Sequence, residues 1–565
     1  MSLSRREFME LGALTAATVV AGASSLGYAS NRAGLESLLR FKPEGKLTLM
    51  HIADCHAQLL PIYFREPSVN IGIGGAKGHP PHLVGHDFLN YFGFESGGIE
   101  AYAYTMLDYI KLAHELGPVG GFAHLATLVK AIRQERGADN CILLDSGDTW
   151  QGSYSAMMTK GADMIEACNL LGVEGMTPHW EFTYGAEQVK ANIAKLNFPF
   201  LAHNVVDSEW EEKVFEPYHI YEKAGTKVAV IGQAFPYTPI ANPRRMFPKW
   251  SMGIQEQGVQ EQVNAAREEG AQVVVLLSHN GMDVDLKLAS RVTGIDVILG
   301  GHTHDAIPKP SQVKNAEGTT LVCNSGSNGK YLSRMDLDVA DGRLKGWNYR
   351  LIPVVSNLIP ADAEMAALIE RVRQPYLQEI NTVVGKTDSL LYRRGNFNGT
   401  YDDLICQALN SQLESEVSLS PGFRWGASLL PGQDITMDSI YTQTAITYPN
   451  TYRRQMSGEQ IKTILEDVAD NLFNPDPYRQ QGGDMVRVGG LRYRIKLGET
   501  IGKRLHDIEI GGKKMEAAKA YWVSGWASMG EVDGPPIWDV VRKHVEDKKV
   551  ISIEPDTTTM GVTES

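Results

Sequence analysis

Four runs of this chain are mainly apolar, and each ends at a cluster of polar residues. Residues 46–53 run into Asp54, 141–145 into Ser146-Gly147-Asp148, 273–277 into His279, and 296–299 into Gly301-His302. A fifth run, 227–232, is equally apolar. Continuous apolar runs of this length mark strands covered on both faces, whereas alternation would mark a strand with one wet face. Between them, over 124–136, 186–196 and 259–269, apolar residues recur at the spacing of amphipathic helices. Strand and helix in alternation predict an α/β layered domain. Residues 360–379 carry acidic residues early and aliphatic ones at helical spacing, which predicts a linking helix. After about Val384 the pattern turns to short strands, helices and Gly-rich turns, as in 486–495, and predicts a second domain. Residues 61–120 form a long Gly-, His- and aromatic-rich excursion, whose aromatics from Phe88 to Tyr104 predict a packed insertion.

Length agrees with this division, since 565 residues exceed what one core organises. The content of 43% hydrophobic and 21% charged residues is that of an ordinary globular protein. A net charge of −13 argues against nucleic-acid binding, which needs a basic face. The N-terminus reads as an address: Ser4-Arg5-Arg6-Glu7-Phe8-Met9 fits a twin-arginine signal, followed by an Ala-rich apolar segment from about Leu11 to Leu26. Export to the bacterial periplasm is therefore expected. Beyond that leader no run is apolar for the 18 or so residues a span requires, so a protein not integral to the membrane is expected. Five cysteines with no CxxC spacing predict no disulfide framework. The expected division is a signal over 1–30, a first domain over 31–358, a linker over 359–385 and a second domain over 386–565, in a monomer.

The polar clusters beyond the strands carry the chemistry. Asp54, His56, Asp148, His179, His279, His302 and His304 supply carboxylate and imidazole donors, enough for two metal ions sharing one carboxylate. Two such ions about 3.5–4 Å apart convert water to a nucleophile and orient an anionic ester-like substrate. Imidazole with carboxylate suits Mn, Zn or Fe, and the donor types alone do not choose among them. Side chains two apart on an extended segment share a face, so Asp54 and His56 are expected to point together, and His302 and His304 likewise, with Cys55 turned away. Each pair alone is a weak signal. Their common placement just past strand ends is a strong one.

In order, these segments resemble a calcineurin-like metallophosphoesterase joined to the C-terminal domain of the 5′-nucleotidase family, over residues 46 to about 545. The resemblance implies an α/β fold: a metallophosphoesterase β-sandwich with flanking helices, then a smaller α+β domain. It implies one ion held by Asp54, His56, Asp148 and His304, and another by Asp148, His179, His279 and His302. It also exposes a departure. The nucleotidase segment Gly-Asn-His-Glu-Phe-Asp-x-Gly reads Pro178-His179-Trp180-Glu181-Phe182-Thr183-Tyr184-Gly185. Trp180 replaces the catalytic histidine and Thr183 the aspartate that orients it. Indole transfers no proton at accessible pH.

A sugar alkoxide leaves poorly without a proton, and general acid catalysis is worth about 10²–10⁴ in rate. A persulfide leaves unaided. The same departures, with 53–59 and 63–70, resemble the SoxB thiosulfohydrolases, which implies a dimanganese enzyme releasing sulfate from a cysteine S-thiosulfonate on the SoxYZ carrier protein. In the second domain Ser420-Pro421-Gly422-Phe423-Arg424 aligns with the anion-binding Asn-Gly-Gly-x-Arg turn, so Arg424 is expected to hold a sulfonate. Asp148, Arg424, Trp180 and Tyr184 are the expected catalytic set, Trp180 as wall or N–H donor and Tyr184, with Arg487, either along the path to the metals or as scaffold residues. The alternatives are a periplasmic 5′-nucleotidase or nucleotide-sugar hydrolase, and a binding protein that keeps its metals for shape.

Overall fold

The computed structural model describes residues 39–555 and the backbone of 560–563; the expected export signal lies outside them. In chain order the first half supplies strands β1 (Leu47–Ile52), β2 (Cys141–Asp145), β3 (Gly175–Met176), β4 (Tyr218–Lys223), β5 (Thr226–Gln233) and β6 (Val273–Ser278). They are followed by β7 (Val297–Gly300), β8 (Ser311–Lys314), β9 (Thr319–Asn324), β10 (Tyr331–Ala340) and β11 (Arg343–Pro353). One sheet has the order β11-β10-β1-β2-β3 and the other β8-β9-β7-β6-β5-β4. Within them β1, β2 and β3 run parallel, as do β5, β6, β7 and β9.

The continuous apolar runs are explained by burial on both faces. Val273, Val275 and Leu277 of β6 join the core shared with β1 and β2. The intervening Val274 and Leu276 pack beneath helices α2 (Glu256–Glu268) and α3 (Met282–Arg291). On the other sheet helix α1 (Phe122–Arg136) buries Leu125, Leu128, Val129 and Ile132. Two sheets face to face with helices outside give the α/β layering that the pattern predicts and the sandwich that the resemblance implies.

The excursion after residue 60 is packed, with helices Gly85–Phe92, Ile99–Tyr104 and Tyr109–Leu116. Its aromatics stack in series: Phe94 on Tyr104 at 5.6 Å, and Tyr104 on Tyr331 of β10 at 5.5 Å. Helix α4 (Ala363–Arg373) begins where Asp362 caps Met365 N at 3.0 Å, and a short helix at Leu377–Ile380 follows it. Beyond it lie helices α5 (Thr400–Gln412), α6 (Gly458–Phe473) and α7 (Ile537–Lys548), with strands β12 (Val417–Gly422), β13 (Thr451–Ser457), β14 (Asp484–Gly489) and β15 (Ala520–Trp526). These four strands form one sheet in the order β13-β15-β12-β14.

The two halves meet directly. Ser428 N donates to Tyr63 O at 2.6 Å, Asn242 Nδ2 to the Tyr448 hydroxyl at 3.0 Å, and Lys287 pairs with Asp476 at 2.6 Å. All five cysteines are buried and free. Among the described residues no helix is long and apolar enough to cross a membrane.

Candidate metal centre

Because β1, β2 and β3 are parallel, the loops after them leave one edge of their sheet. The loops after β6 and β7 leave the matching edge of the other. Asp54 and His56 follow β1, Asp148 follows β2, His179 follows β3, His279 follows β6, and His302 and His304 follow β7. Backbone bonds carry the β1–β2 ladder into these loops: Asp54 N to Gly147 O at 2.9 Å and His56 N to Asp148 O at 2.8 Å.

The ligand segments are not extended, contrary to the expectation from strand alternation. Asp54, His56, Asp148, His302 and His304 all have positive φ, from 45° to 73°. Left-handed backbone is uncommon for such residues and marks a function that the surrounding structure stabilises. Asp54 and His56 are brought together by this turning, whereas His302 and His304, expected to point together, go to different donor groups. Gly147, at φ 91°, permits the turn into Asp148; a Cβ there would lie 2.2 Å from Thr177 O. Cys55 is buried but joins neither donor group.

Two groups of donor atoms result. Asp148, His179, His279 and His302 form one, and Asp54, His56, Asp148 and His304 the other, each with its atoms within 4.8 Å of one another. Asp148 belongs to both. Its Oδ2 lies 3.1 Å from His179 Nδ1, 3.1 Å from His279 Nε2 and 4.0 Å from His56 Nε2, while its Oδ1 accepts from Trp180 N at 2.8 Å. In the second group His56 Nε2 and His304 Nε2 face each other at 3.0 Å.

The second nitrogens orient the rings. His279 Nδ1 donates to Ser146 O, and His302 Nε2 donates to Gln481 O at 2.8 Å. A carbonyl only accepts, so the lone pairs of His279 Nε2 and His302 Nδ1 remain for a cation, the usual arrangement of metal-binding histidines. The Glu181 carboxylate accepts from His179 N at 2.8 Å and Thr149 N at 2.7 Å, tying the β3 loop to the β2 loop.

Burial pushes His56 down to about 4 and likewise lowers His179, His302 and His304, so these rings are neutral, as ligands must be. Burial alone would raise Asp148, but the His179 and His279 rings hold it well below the usual carboxylate range. Burial also disfavours charge on His279, yet Asp148 and then Asp54 push it up to about 10. Imidazoles grouped around the shared Asp148 carboxylate, His56 and His304 nitrogen to nitrogen and His279 holding a proton that a cation would displace, fit a pair of divalent ions of the Mn, Fe or Zn type.

Around this centre lies an apolar wall. Trp180 packs edge-on against Trp425 at 5.2 Å and Phe423 at 5.3 Å, and stacks with Tyr448 at 5.8 Å. Trp425 lies 5.0 Å from the His56 ring. Phe235 lies 4.2 Å from His179 and 4.0 Å from His302. Thr183 donates to Trp180 O at 2.8 Å and accepts from Gln151 Nε2 at 2.6 Å, so no carboxylate stands where an orienting aspartate would.

Arg424 reaches the centre's edge, donating to Thr303 O at 2.8 Å and Gly483 O at 2.5 Å and pairing with Asp484 at 3.3 Å. Tyr184 is not brought to the metal donors; its hydroxyl donates to Trp150 O and Ala156 O, each at 3.0 Å. Arg487 is likewise structural, 1% exposed and bound to Asp402 and Asp484 at 3.1 Å each. Sequence reasoning missed Arg394, which is 4% exposed with a buried Nε lacking a partner and shares with Arg424 an electrostatic influence on His304. It missed Trp425 and Phe235 as well. Phe235 lies just past β5, so the rule that found the ligands would have found it too.

A family model for the 5′-nucleotidase C-terminal domain matches residues 383–531. Bovine 5′-nucleotidase is 24% identical over 449 residues, spanning 72% of this chain and 75% of the relative. Among solved structures, the sulfate thiohydrolase SoxB of Thermus thermophilus, in complex with glycerol, superposes with a TM-score of 0.90 and 35% identity, covering 93% of this chain and 98% of that one. The chain belongs to the SoxB family. A 5′-nucleotidase precursor, also from Thermus thermophilus, has a TM-score of 0.72 and 22% identity over 92% of this chain and 99% of that one, and shares the two-part fold. SoxB thus sits within the 5′-nucleotidase superfamily, and this member of it is a hydrolase with two candidate metal positions.

Proposed function

We propose that this protein is a thiosulfohydrolase, releasing sulfate from a cysteine S-thiosulfonate on the SoxYZ carrier protein. The single observation that carries the reading is Trp180: a complete metal donor set stands beside a wall with no proton donor in the nucleotidase position. The overall reaction is balanced by one water. Its oxygen bonds to the sulfonate sulfur, the sulfur–sulfur bond breaks, sulfate departs and the carrier keeps a cysteine persulfide.

Two divalent ions, when bound, supply Lewis acidity and a nucleophile made from water at neutral pH. Asp148 holds the two positions together, and Asp54, His56 and His304 on one side and His179, His279 and His302 on the other define them. Trp180, Trp425 and Phe423 exclude water from the leaving sulfur, which departs as an anion and needs no proton. Arg424 and Arg394 supply positive charge for the sulfonate oxygens, Arg424 through the N–H groups not taken by Thr303 O, Gly483 O and Asp484. We propose manganese as the metal and the periplasm as the compartment, reached by the twin-arginine route that residues 4–9 suggest.

The test is direct. Purified protein loaded with manganese is mixed with S-thiosulfonated SoxYZ, and sulfate is measured by ion chromatography. Sulfate release, with AMP left intact, is expected; cleavage of AMP without sulfate release would overturn the proposal in favour of a nucleotidase.

A further inference from the structure

One ligand of the metal centre is oriented from the other half of the molecule. His302 follows β7, yet its Nε2 donates to the carbonyl of Gln481, in the turn that leads into β14. The next residue, Gly482, has φ 72°, and a Cβ there would lie 2.6 Å from that same Nε2. Arg424 holds the turn against the segment between His302 and His304, donating to Gly483 O on one side and Thr303 O on the other.

The turn is anchored from both halves. On its own side Gln481 N donates to Asn471 O, and Gln481 Nε2 to Asn471 Oδ1, each at 3.0 Å, at the end of α6. On the opposite side Lys287 of α3 pairs with Asp476 and lies 4.0 Å over the Tyr478 ring. The Tyr478 hydroxyl donates to Glu256 at the start of α2, and Tyr237 donates to Tyr478 O.

We infer that residues 476–483 form a latch that completes the metal centre: the second half of the chain sets the tautomer and angle of His302, and docking of the two halves is coupled to binding of the ion on the His302 side. This rests on the metal-centre reading above and adds to it. With Gln481 O in place, the proton of His302 sits on Nε2 and the Nδ1 lone pair faces the ion. Without it, the ring is free to turn and to carry its proton on either nitrogen. The coupling is reciprocal: whatever the latch contributes to ion binding, the ion returns to the docking of the latch. Asp54, His56 and His304 make no hydrogen bond to this turn among the described residues and meet His302 only through its backbone N–H on Asp54, at 2.9 Å, so the effect falls first on the His302 side.

Two measurements on the full chain decide it. Manganese is titrated into metal-free protein and followed by electron paramagnetic resonance, which separates a lone ion from a spin-coupled pair, for wild type, Gly482→Ala and Gly512→Ala. Gly512 has φ 74° with open space around it, so its substitution carries the same backbone strain without touching His302. Gly482→Ala is expected to bind the first ion as wild type does and the second about 10–100-fold more weakly, with Gly512→Ala unchanged. The second measurement is hydrogen–deuterium exchange of wild type, in which metal loading is expected to slow exchange across 476–483. Wild-type affinity for both ions in a folded Gly482→Ala, or exchange in 476–483 indifferent to metal, would overturn the latch. Should Gly482→Ala fail to fold, the exchange measurement alone decides. A wild type that never forms the coupled pair would overturn the metal-centre reading itself.

Discussion

Trp180 and Tyr448 stack with their ring planes 5° apart and their centroids at 5.8 Å, one ring from each half of the chain. Tyr448 lies in the segment just before β13. It is turned inward, with its hydroxyl accepting from Asn242. The wall beside the metals is thus a joint of the fold as well as part of the site.

Restoring the missing imidazole should therefore not restore a nucleotidase. Trp180→His leaves a void between Trp425 and Tyr448, and Thr183 offers no carboxylate to orient the new ring. Sulfate release is expected to fall about 10–100-fold through misplacement of the substrate, with AMP hydrolysis still absent. Trp180→Ala should in addition lose about 3–5 kcal/mol of stability in denaturant unfolding.

Asp148 serves both ion positions and Asp54 only one. Elemental analysis after gel filtration should find Asp148→Asn retaining less than one ion per chain and Asp54→Asn retaining one. Each loss should exceed the roughly 10–100-fold cost of an altered outer-shell contact. Equal stoichiometry in the two variants would contradict the bridging role.

Replacing Arg424 by Lys keeps the charge and removes the fork. Hydrogen bonds to charged groups are worth about 1.5–3 kcal/mol, so on the proposed reaction KM for the thiosulfonated carrier should rise about 10–100-fold, with a smaller change in kcat. A fall in kcat alone would instead assign Arg424 to the bond-breaking step.

Asp285 gives a pH test independent of catalysis. Burial pushes its carboxyl up to about 7 from an ordinary 3.8, with hydrogen bonds from Ser278 at 2.7 Å and Asn280 at 3.0 Å opposing the rise. The folded protein therefore holds this proton more tightly than the unfolded chain. The stabilisation is fully present below pH 3.8 and is lost as pH rises through about 7, a change on the order of 4 kcal/mol. In metal-free protein, urea unfolding should show Asp285→Asn gaining stability relative to wild type between about pH 4 and 8. A constant difference across that range would contradict the assignment.

The strands and the seven candidate donors were legible because burial on both faces imposes a mainly apolar run, and a parallel sheet presents its loop residues at one edge. Trp180 was legible because a single residue breaks an otherwise familiar segment. The backbone at the ligands was not: the sequence suggests that Asp54 and His56 share the face of an extended strand, whereas left-handed turns aim them. Arg394, Trp425 and the carbonyl of Gln481 were hidden for another reason. Their place in the site depends on how the second half docks against the first, and no local periodicity records that.

Read alone, then, the sequence determined the layered α/β architecture, the set of metal donors and the absence of a proton donor, since each is written in residue type and short-range spacing. The tertiary structure alone decided that left-handed turns aim the donors, that Arg394 and Trp425 stand beside them, and that a turn beyond residue 475 orients His302. Those outcomes depend on contacts between residues far apart in the chain. Such contacts arise when separate elements bury their surfaces against one another.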